Sequence, residues 1–239
     1  MLAYLSWHRP AAGVARASYE QALQRFHRSL AANPPGGFRG SASLRTPAPP
    51  WAAGGALAPD ADAGHEAGVA HEAGVAHDAG VAPGADSAPD APGAGGAHEA
   101  GDAGMYEDWY LLEDWTAVGV LEEAAVSHGH ASLHDGVSSR AQSATSGVYR
   151  LLEGHAAPGA SRVAVWVTRP PGRERPSLDA LLADGIDPAS GSLWRRCLGL
   201  GPAPEFCLLA GEAPAGVAST RLPHGWDARV LEREPVWHA

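Results

Sequence analysis

The sequence predicts an α+β fold with antiparallel sheets, made of two successive halves that each have the element order β-α-β-β-α-β. Three observations predict it: a strand ending in Arg-Pro that occurs twice, an amphipathic helix after the first of these strands, and a short echo between the third strands of the two halves. A segment of low complexity, residues 46–104, interrupts the first half between its second and third strands. The predicted domains are therefore residues 1–155, which include this insert, and residues 160–239.

The first strand of each half alternates in polarity and ends at a proline, in Tyr4–Pro10 and Ala164–Pro170. Proline cannot donate to a sheet ladder and is typical of a strand end. The helix after the first strand is predicted to begin with a capping box of Ser18 and Gln21, and a shorter counterpart is predicted from Ser177. The first helix has apolar residues at i, i+4, i+7 and i+11, the spacing of one buried face. These residues are Tyr19, Leu23, Phe26 and Leu30.

The third strands share the pattern acid-aromatic-x-Leu-Leu, at 108–112 and 205–209. A helix at 116–126 and a strand at 147–152 complete the first half. A strand at 227–232 completes the second half. The echo of the third strands also locates the insert in the loop before the first of them, where insertions are tolerated.

The insert is strongly acidic and is predicted to be disordered. It holds nine of the 27 acidic residues and none of the 17 basic ones, so it carries almost all of the net charge of −10. Its repeated His-Glu/Asp-Ala-Gly-Val-Ala units bury too little apolar surface to offset the entropy of ordering a backbone, about 1–2 kcal/mol per residue.

The rest of the chain is nearly neutral and has no basic stripe, which argues against nucleic acid as a partner. No apolar run approaches the roughly 20 residues that span a bilayer, so no membrane partner and a cytoplasmic location are expected. Lysine is absent and Ala, Gly and Pro abound, which is typical of a GC-rich, bacterial coding sequence.

With this element order and these echoes, the chain resembles the tandem form of the dimeric α/β-barrel group, whose halves have the ferredoxin-like, or split β-α-β, arrangement. The resemblance covers nearly everything outside 46–104 and includes no diagnostic motif. It implies two sheets that close face to face around a pocket, within one chain or in a homodimer. The group includes cofactor-free monooxygenases, small isomerases, decarboxylases and haem enzymes resembling chlorite dismutase. A small, mostly apolar molecule is the ligand that it implies.

The alternation of the first strand separates two sets of side chains. Helices are expected to cover the more apolar set, Leu5 and Trp7. Tyr4, Ser6 and His8 are therefore predicted to face the pocket.

In the second half the same reasoning places Trp166 and Thr168 in the pocket, with Val165 and Val167 under helices. The third strand is apolar on both faces, so Tyr110 is a pocket candidate whose direction stays open.

His8 is the candidate general base, because an imidazole with a pKa of about 6.5 exchanges protons near neutral pH. Tyr4 and Ser6 would hydrogen-bond a polar group of the substrate, and Arg9 would clamp a carboxylate. A histidine that simply ends a strand is the alternative. The adjacent acids Glu107 and Asp108 are expected on a polar face.

The segment 127–135 is rich in histidine. His128, His130 and His134 are possible ligands of zinc or another metal, and one histidine of this segment, or His155 or His224, would be needed as an axial ligand of haem. Because Gly129 implies a flexible loop, the segment is predicted to be a solvated loop after the second helix, with metal binding as the alternative. His134 and Asp135 are retained as ligand-binding candidates, because the carboxylate can orient the imidazole.

Three hypotheses stay open. The first is a pocket protein for a small apolar molecule, acting as a cofactor-free monooxygenase or isomerase with His8 as base. The second is a non-catalytic binding or assembly module that uses the acidic insert. The third is a haem or metal protein. No cofactor is predicted, but haem and zinc stay open.

Overall fold

The computed structural model describes residues 1–52, 104–127, 129–169, 172, 191–200, 203–212 and 226–238. The strands of the first half are β1 (Leu2–Pro10), β2 (Phe38–Thr46), β3 (Met105–Leu112) and β4 (Ala141–Gly154). The later strands are β5 (Val163–Thr168), β6 (Ser192–Leu200), β7 (Phe206–Ala210), β8 (Asp227–Glu232) and β9 (Glu234–His238). The described helices are α1 (Arg16–Ala32), α2 (Trp115–Val126) and α3 (Ala131–Ser138).

The nine described strands form one antiparallel sheet in the order β8-β5-β7-β6-β4-β1-β3-β2-β9. In β1–β4 and again in β5–β8, the fourth strand pairs with the first, the first with the third, and the third with the second. The pairing of β4 with β6 joins the two sets. An α+β fold with antiparallel pairing is thus confirmed.

The sheet is curled, and the connection between its last two strands shows why. β8 and β9 lie at opposite ends of the strand order, yet only Arg233 separates them in sequence. One residue spans only a few ångströms (about 3.3–3.6 Å), so the two edges of the sheet must meet at Arg233. The backbone N–H of Arg233 donates to the carbonyl of Arg162 at 2.8 Å, which continues the pairing of β8 with β5 up to this point.

Several predictions fall outside the described residues. The chain leaves β2 and re-enters at β3, so the insert lies in the predicted loop. Residues 53–103 themselves are not described. The disorder and the docking role of the insert therefore stay predictions. The counterpart helix from Ser177 is also outside the described part, so tandem ferredoxin-like halves stay a prediction.

Two local predictions were wrong. The helix α1 begins at Arg16 with Ala15 as N-cap and no side-chain cap, so Ser18 lies inside its first turn and does not cap it. The segment predicted as a possible loop contains the short helix α3, whose N-cap His130 is buried. The buried stripe of α1 is confirmed, with His27 as an additional member.

The predicted direction of β1 was also wrong. Leu5 and Trp7 belong to the cluster in the interior of the curled sheet, whereas Tyr4 packs with the helix-side cluster and His8 contacts Tyr19 of α1. The physical reason is enclosure. The interior of a closed sheet excludes water on all sides and takes the largest apolar side chains, while α1 offers polar partners to the other face.

The interior is packed where the shared pocket was predicted. Trp166 faces it, as expected for its strand, but its ring packs against Trp7 at 5.1 Å, Trp51 at 5.7 Å and Tyr149 at 5.7 Å. Val165 lies on the opposite face, and the helices predicted to cover it lie outside the described residues. Trp166 is therefore a core residue.

A buried ion pair crosses this aromatic interior. Glu107 lies 2.9 Å from Arg233, and both side chains are 0% exposed. The indole N–H groups of Trp7 and Trp109 donate to the Glu107 carboxylate at 3.2 and 2.5 Å. The expectation that Glu107 and Asp108 lie on a polar face was wrong, because both carboxylates are buried with specific partners.

None of the described helices combines the length and the apolar character that crossing a bilayer requires.

Candidate functional site

A buried polar cluster lies between α1 and the strands β1 and β3, with Asp108 at its centre. His8 Nε2 donates to Asp108 Oδ2 at 2.9 Å, and His27 Nε2 lies 3.3 Å from the same oxygen. The hydroxyl of Tyr110 also donates to it, at 3.2 Å. These residues together with Tyr19 are called the Asp108 cluster below.

Hydroxyl groups hold the far side of both imidazoles. The hydroxyl of Tyr19 is 2.7 Å from His8 Nδ1, and Ser41 Oγ is 2.8 Å from His27 Nδ1. Each ring thus has a polar partner at both nitrogens, which fixes its orientation. The cluster is a continuous set of buried groups that can share protons.

The sheet register explains how the sequence builds this cluster. Ser6 lies opposite Asp108 on β3 and opposite Ser146 on β4, and Asp108 lies opposite Ser43 on β2. Since side chains alternate along a strand, a polar row crosses four strands on the helix side. His27 lies four residues after Leu23 on the buried stripe of α1, directly above this row.

The electrostatics keep Asp108 ionised. Burial by itself raises the pKa of the Asp108 carboxyl, but the positive charges and hydrogen bonds of His8 and His27 outweigh this effect and hold the pKa well below its usual range. Burial, and next the negative charge of Asp108, raise the pKa values of the Tyr19 and Tyr110 hydroxyls. Both phenols therefore stay protonated beside a carboxylate.

A cavity of about 130 Å³ adjoins the cluster, and we call it the helix-side cavity. Its wall combines apolar side chains from the helices with polar ones from β1, β3, α2 and α3. The lining residues are Tyr4, Ser6, Phe26, Tyr110, Leu121, Glu122, Ala125 and His134. Tyr110 belongs to both the cavity and the Asp108 cluster, so it connects them.

The polar groups of the cavity differ in exposure. Glu122 is exposed and marks the rim. Burial raises the pKa of the Tyr4 hydroxyl, which neighbours Ser146 and Glu122. His134 packs on the Phe26 ring at 5.8 Å, and its Nδ1 is buried without a hydrogen-bond partner. A buried polar atom without a partner is costly, so this nitrogen is available to a ligand.

The structure brings together four of the predicted site residues and separates the others. Tyr4, Ser6, Tyr110 and His134 line one cavity, on the helix side of the sheet. His8 does not line it and reaches it only through the Asp108 cluster.

The remaining predicted site residues lie elsewhere. Arg9 is a half-buried residue of β1 that does not line the cavity. Thr168 ends β5 opposite Asp227, and Trp166 is in the core. Asp135 lies 3.7 Å from His134, but its side chain is 78% exposed.

Three residues of the Asp108 cluster were not predicted as site residues. Asp108 and Tyr110 are two positions apart on β3 and therefore lie on the same face of the sheet. The alternation of this strand could have identified Asp108. His27 falls on the apolar stripe of α1, where a histidine needs a buried partner. Tyr19 was predicted only as a core residue of that stripe.

Within the described part of the chain, no group of three or more His, Cys, Asp or Glu residues is arranged to hold a metal ion. His130 lies 2.5 Å from Ser29 Oγ, and His128 is outside the described residues. Zinc or haem binding by this segment therefore stays a hypothesis without a described set of ligands.

A second cavity, of about 590 Å³, lies at the seam between β8 and β9, where Arg45, Arg162 and Glu232 line it. Pro47 and Glu212 also border it, close to segments outside the described residues.

No protein-family model matches this sequence, and no curated protein matches it. Among solved structures, it is similar to an anthrone oxidase-like protein, with a TM-score of 0.44 and 6% sequence identity over 98% of this chain and 93% of that one. The chemistry of the site therefore has to follow from its own residues.

Proposed function

We propose that the first half of the chain binds a small, mostly apolar molecule in the helix-side cavity. The observation that carries this proposal is the cavity itself: Phe26, Leu121 and Ala125 form an apolar wall, and the polar residues Tyr110 and His134 line the same space. A concave space that combines an apolar wall with polar groups is the usual form of a small-molecule site.

The volume limits the ligand. A buried apolar cavity of about 150 Å³ accommodates one benzene molecule, and the helix-side cavity has about 130 Å³. The part of the ligand that enters this cavity is therefore about the size of one aromatic ring.

The Asp108 cluster supplies groups for proton transfer next to this cavity. A cofactor-free monooxygenase or isomerase that uses His8 as base remains part of the proposal. His8 does not line the cavity, and the hydrogen bonds of Tyr110 and His8 to Asp108 connect it to the ligand's space.

Toluene is a suitable probe of the proposal, since it fills such a cavity and needs no hydrogen bond. We expect saturable NMR chemical-shift changes at the cavity residues when toluene is added to the protein. Ala125→Leu adds three carbon atoms to the cavity wall and should weaken toluene binding at least about tenfold, because the added carbon atoms occupy the ligand's space.

Ala124→Leu, the neighbouring position on α2, is the matched control, since Ala124 does not line the cavity. It should bind toluene as the unmodified protein does. Shift changes that do not saturate, or equal effects of the two substitutions, would show that the cavity is not a binding site.

A further inference from the structure

Tyr110 lies between two environments. Its side chain lines the helix-side cavity, while its hydroxyl donates to Asp108 Oδ2 at 3.2 Å. A phenol has one proton to donate and lone pairs to accept with. Since the proton is engaged by Asp108, any further hydrogen bond of the Tyr110 oxygen must use its lone pairs.

The direction of this hydrogen bond is set by Asp108. An ionised carboxylate can only accept, and Asp108 is 2% exposed, so water does not compete for the Tyr110 proton. His8 and His27 stabilise the ionised form at 2.9 and 3.3 Å. The arrangement therefore prevents Tyr110 from acting as a donor toward a ligand.

The other polar groups of the cavity are less restricted. The Ser6 hydroxyl accepts from Ser146 at 3.3 Å and keeps its own proton. The Glu122 carboxylate is exposed, so a ligand that donates to it competes with water. Tyr4 and His134 also line this space, and among these groups Tyr110 is the one whose hydrogen-bond direction is fixed by a buried carboxylate.

We infer that Tyr110 selects ligands that carry a hydrogen-bond donor, with Asp108 as the positioning residue that makes its oxygen an acceptor. The substrate class is neutral single-ring compounds with a hydroxyl or N–H group, of which phenol is the simplest. This inference rests on the proposed function, because it requires a ligand in the helix-side cavity.

The test compares the dissociation constants of phenol and toluene, which have nearly the same size. Water solvates the two probes differently, so the informative quantity is the ratio of their dissociation constants in each variant. Tyr110→Phe removes the acceptor and should reduce the relative preference for phenol about tenfold, the usual effect of one lost hydrogen bond in a buried site. Toluene binding should change little.

Tyr106→Phe is the matched control, since it removes a buried phenol of the same strand that contacts Glu20 and does not line the cavity. Its ratio should equal that of the unmodified protein. A far-UV circular dichroism spectrum and a melting curve check that each variant is folded.

Asp108→Asn tests whether Asp108 positions the Tyr110 proton or only supports the structure around it. The amide can donate to the Tyr110 oxygen, which frees the phenol proton to point into the cavity. We expect the preference for phenol to fall and binding of pyridine, an acceptor without a donor at pH 7.5, to rise relative to toluene. A merely structural role would weaken all three probes alike and would overturn the assignment of Asp108.

The outcomes separate the two proposals. Toluene binding with an unchanged phenol ratio in Tyr110→Phe overturns this inference and leaves the proposed function standing. Absence of binding by phenol, toluene and pyridine overturns the proposed function and this inference with it.

Discussion

Glu107 and Asp108 are consecutive residues of β3 and both are buried, yet they face opposite sides of the sheet. Glu107 points into the aromatic interior and pairs with Arg233. Asp108 points toward α1 and is shared by His8 and His27. Two neighbouring carboxylates thus show how the charge partner decides the role of a buried acid.

The partners differ in their chemistry. A guanidinium only donates hydrogen bonds, and the indole N–H groups of Trp7 and Trp109 are the other donors to Glu107. Imidazole nitrogens donate or accept according to the tautomer, so the Asp108 cluster offers groups for proton transfer. It also adjoins a cavity, and Asp108 Oδ1 is buried without a hydrogen-bond partner.

The largest expected effect comes from breaking the interior pair. Glu107→Leu leaves the Arg233 guanidinium buried without a counter-charge, which should lower the free energy of unfolding by about 3–5 kcal/mol. Urea unfolding followed by tryptophan fluorescence measures it. The double variant with Arg233→Met should recover most of this loss.

Glu113→Gln is the control for that experiment. Its carboxylate pairs with Arg39 at the surface, with side chains 47% and 55% exposed, so the loss should stay below about 1 kcal/mol. A similar loss for Glu107→Leu would mean that the interior pair contributes no more than a surface pair.

A smaller, pH-dependent effect is expected on the helix side. The pKa of Asp108 is lowered in the folded state, while an unfolded aspartate has a pKa of about 3.9. Below that value the unfolded chain binds a proton that the folded protein does not, so the stabilisation is present above about pH 4 and is lost as the pH falls further. The slope is up to about 1.4 kcal/mol per pH unit.

The stability difference between the unmodified protein and Asp108→Asn should therefore shrink between pH 4 and about pH 2.5, measured by urea unfolding at each pH. Asp135→Asn, which changes an exposed carboxylate, should show no such trend. A difference that stays constant with pH would contradict the lowered pKa.

The smallest effect should distinguish two phenols beside His8. Tyr19→Phe removes the hydroxyl that holds His8 Nδ1 and should cost about 1 kcal/mol in thermal or urea unfolding. Tyr106→Phe removes a contact with the half-buried Glu20. It should lower the free energy of unfolding by only about 0.3 kcal/mol. Equal losses would show that the Tyr19–His8 contact has no special role.

Alternation and helical spacing predicted much of the first half. The stripe of α1 from Tyr19 to Leu30 is buried as predicted, because a period near 3.6 identifies one helix face without any other information. Tyr4 and Ser6 were correctly grouped on one face of β1. The same periodicity could not say which way that face points, since a period of two is symmetric between the two sides of a sheet.

The sequence by itself determined the elements of the first half, the place of the insert and the sets of residues that share a face. Only the tertiary structure decided that Trp7 points inward and His8 toward α1, because that choice depends on where the curled sheet closes, at Arg233. Likewise, His8 and Asp108 are 100 positions apart. Their contact arises from the pairing of β1 with β3. Local sequence patterns do not predict the register of two strands so far apart in the chain.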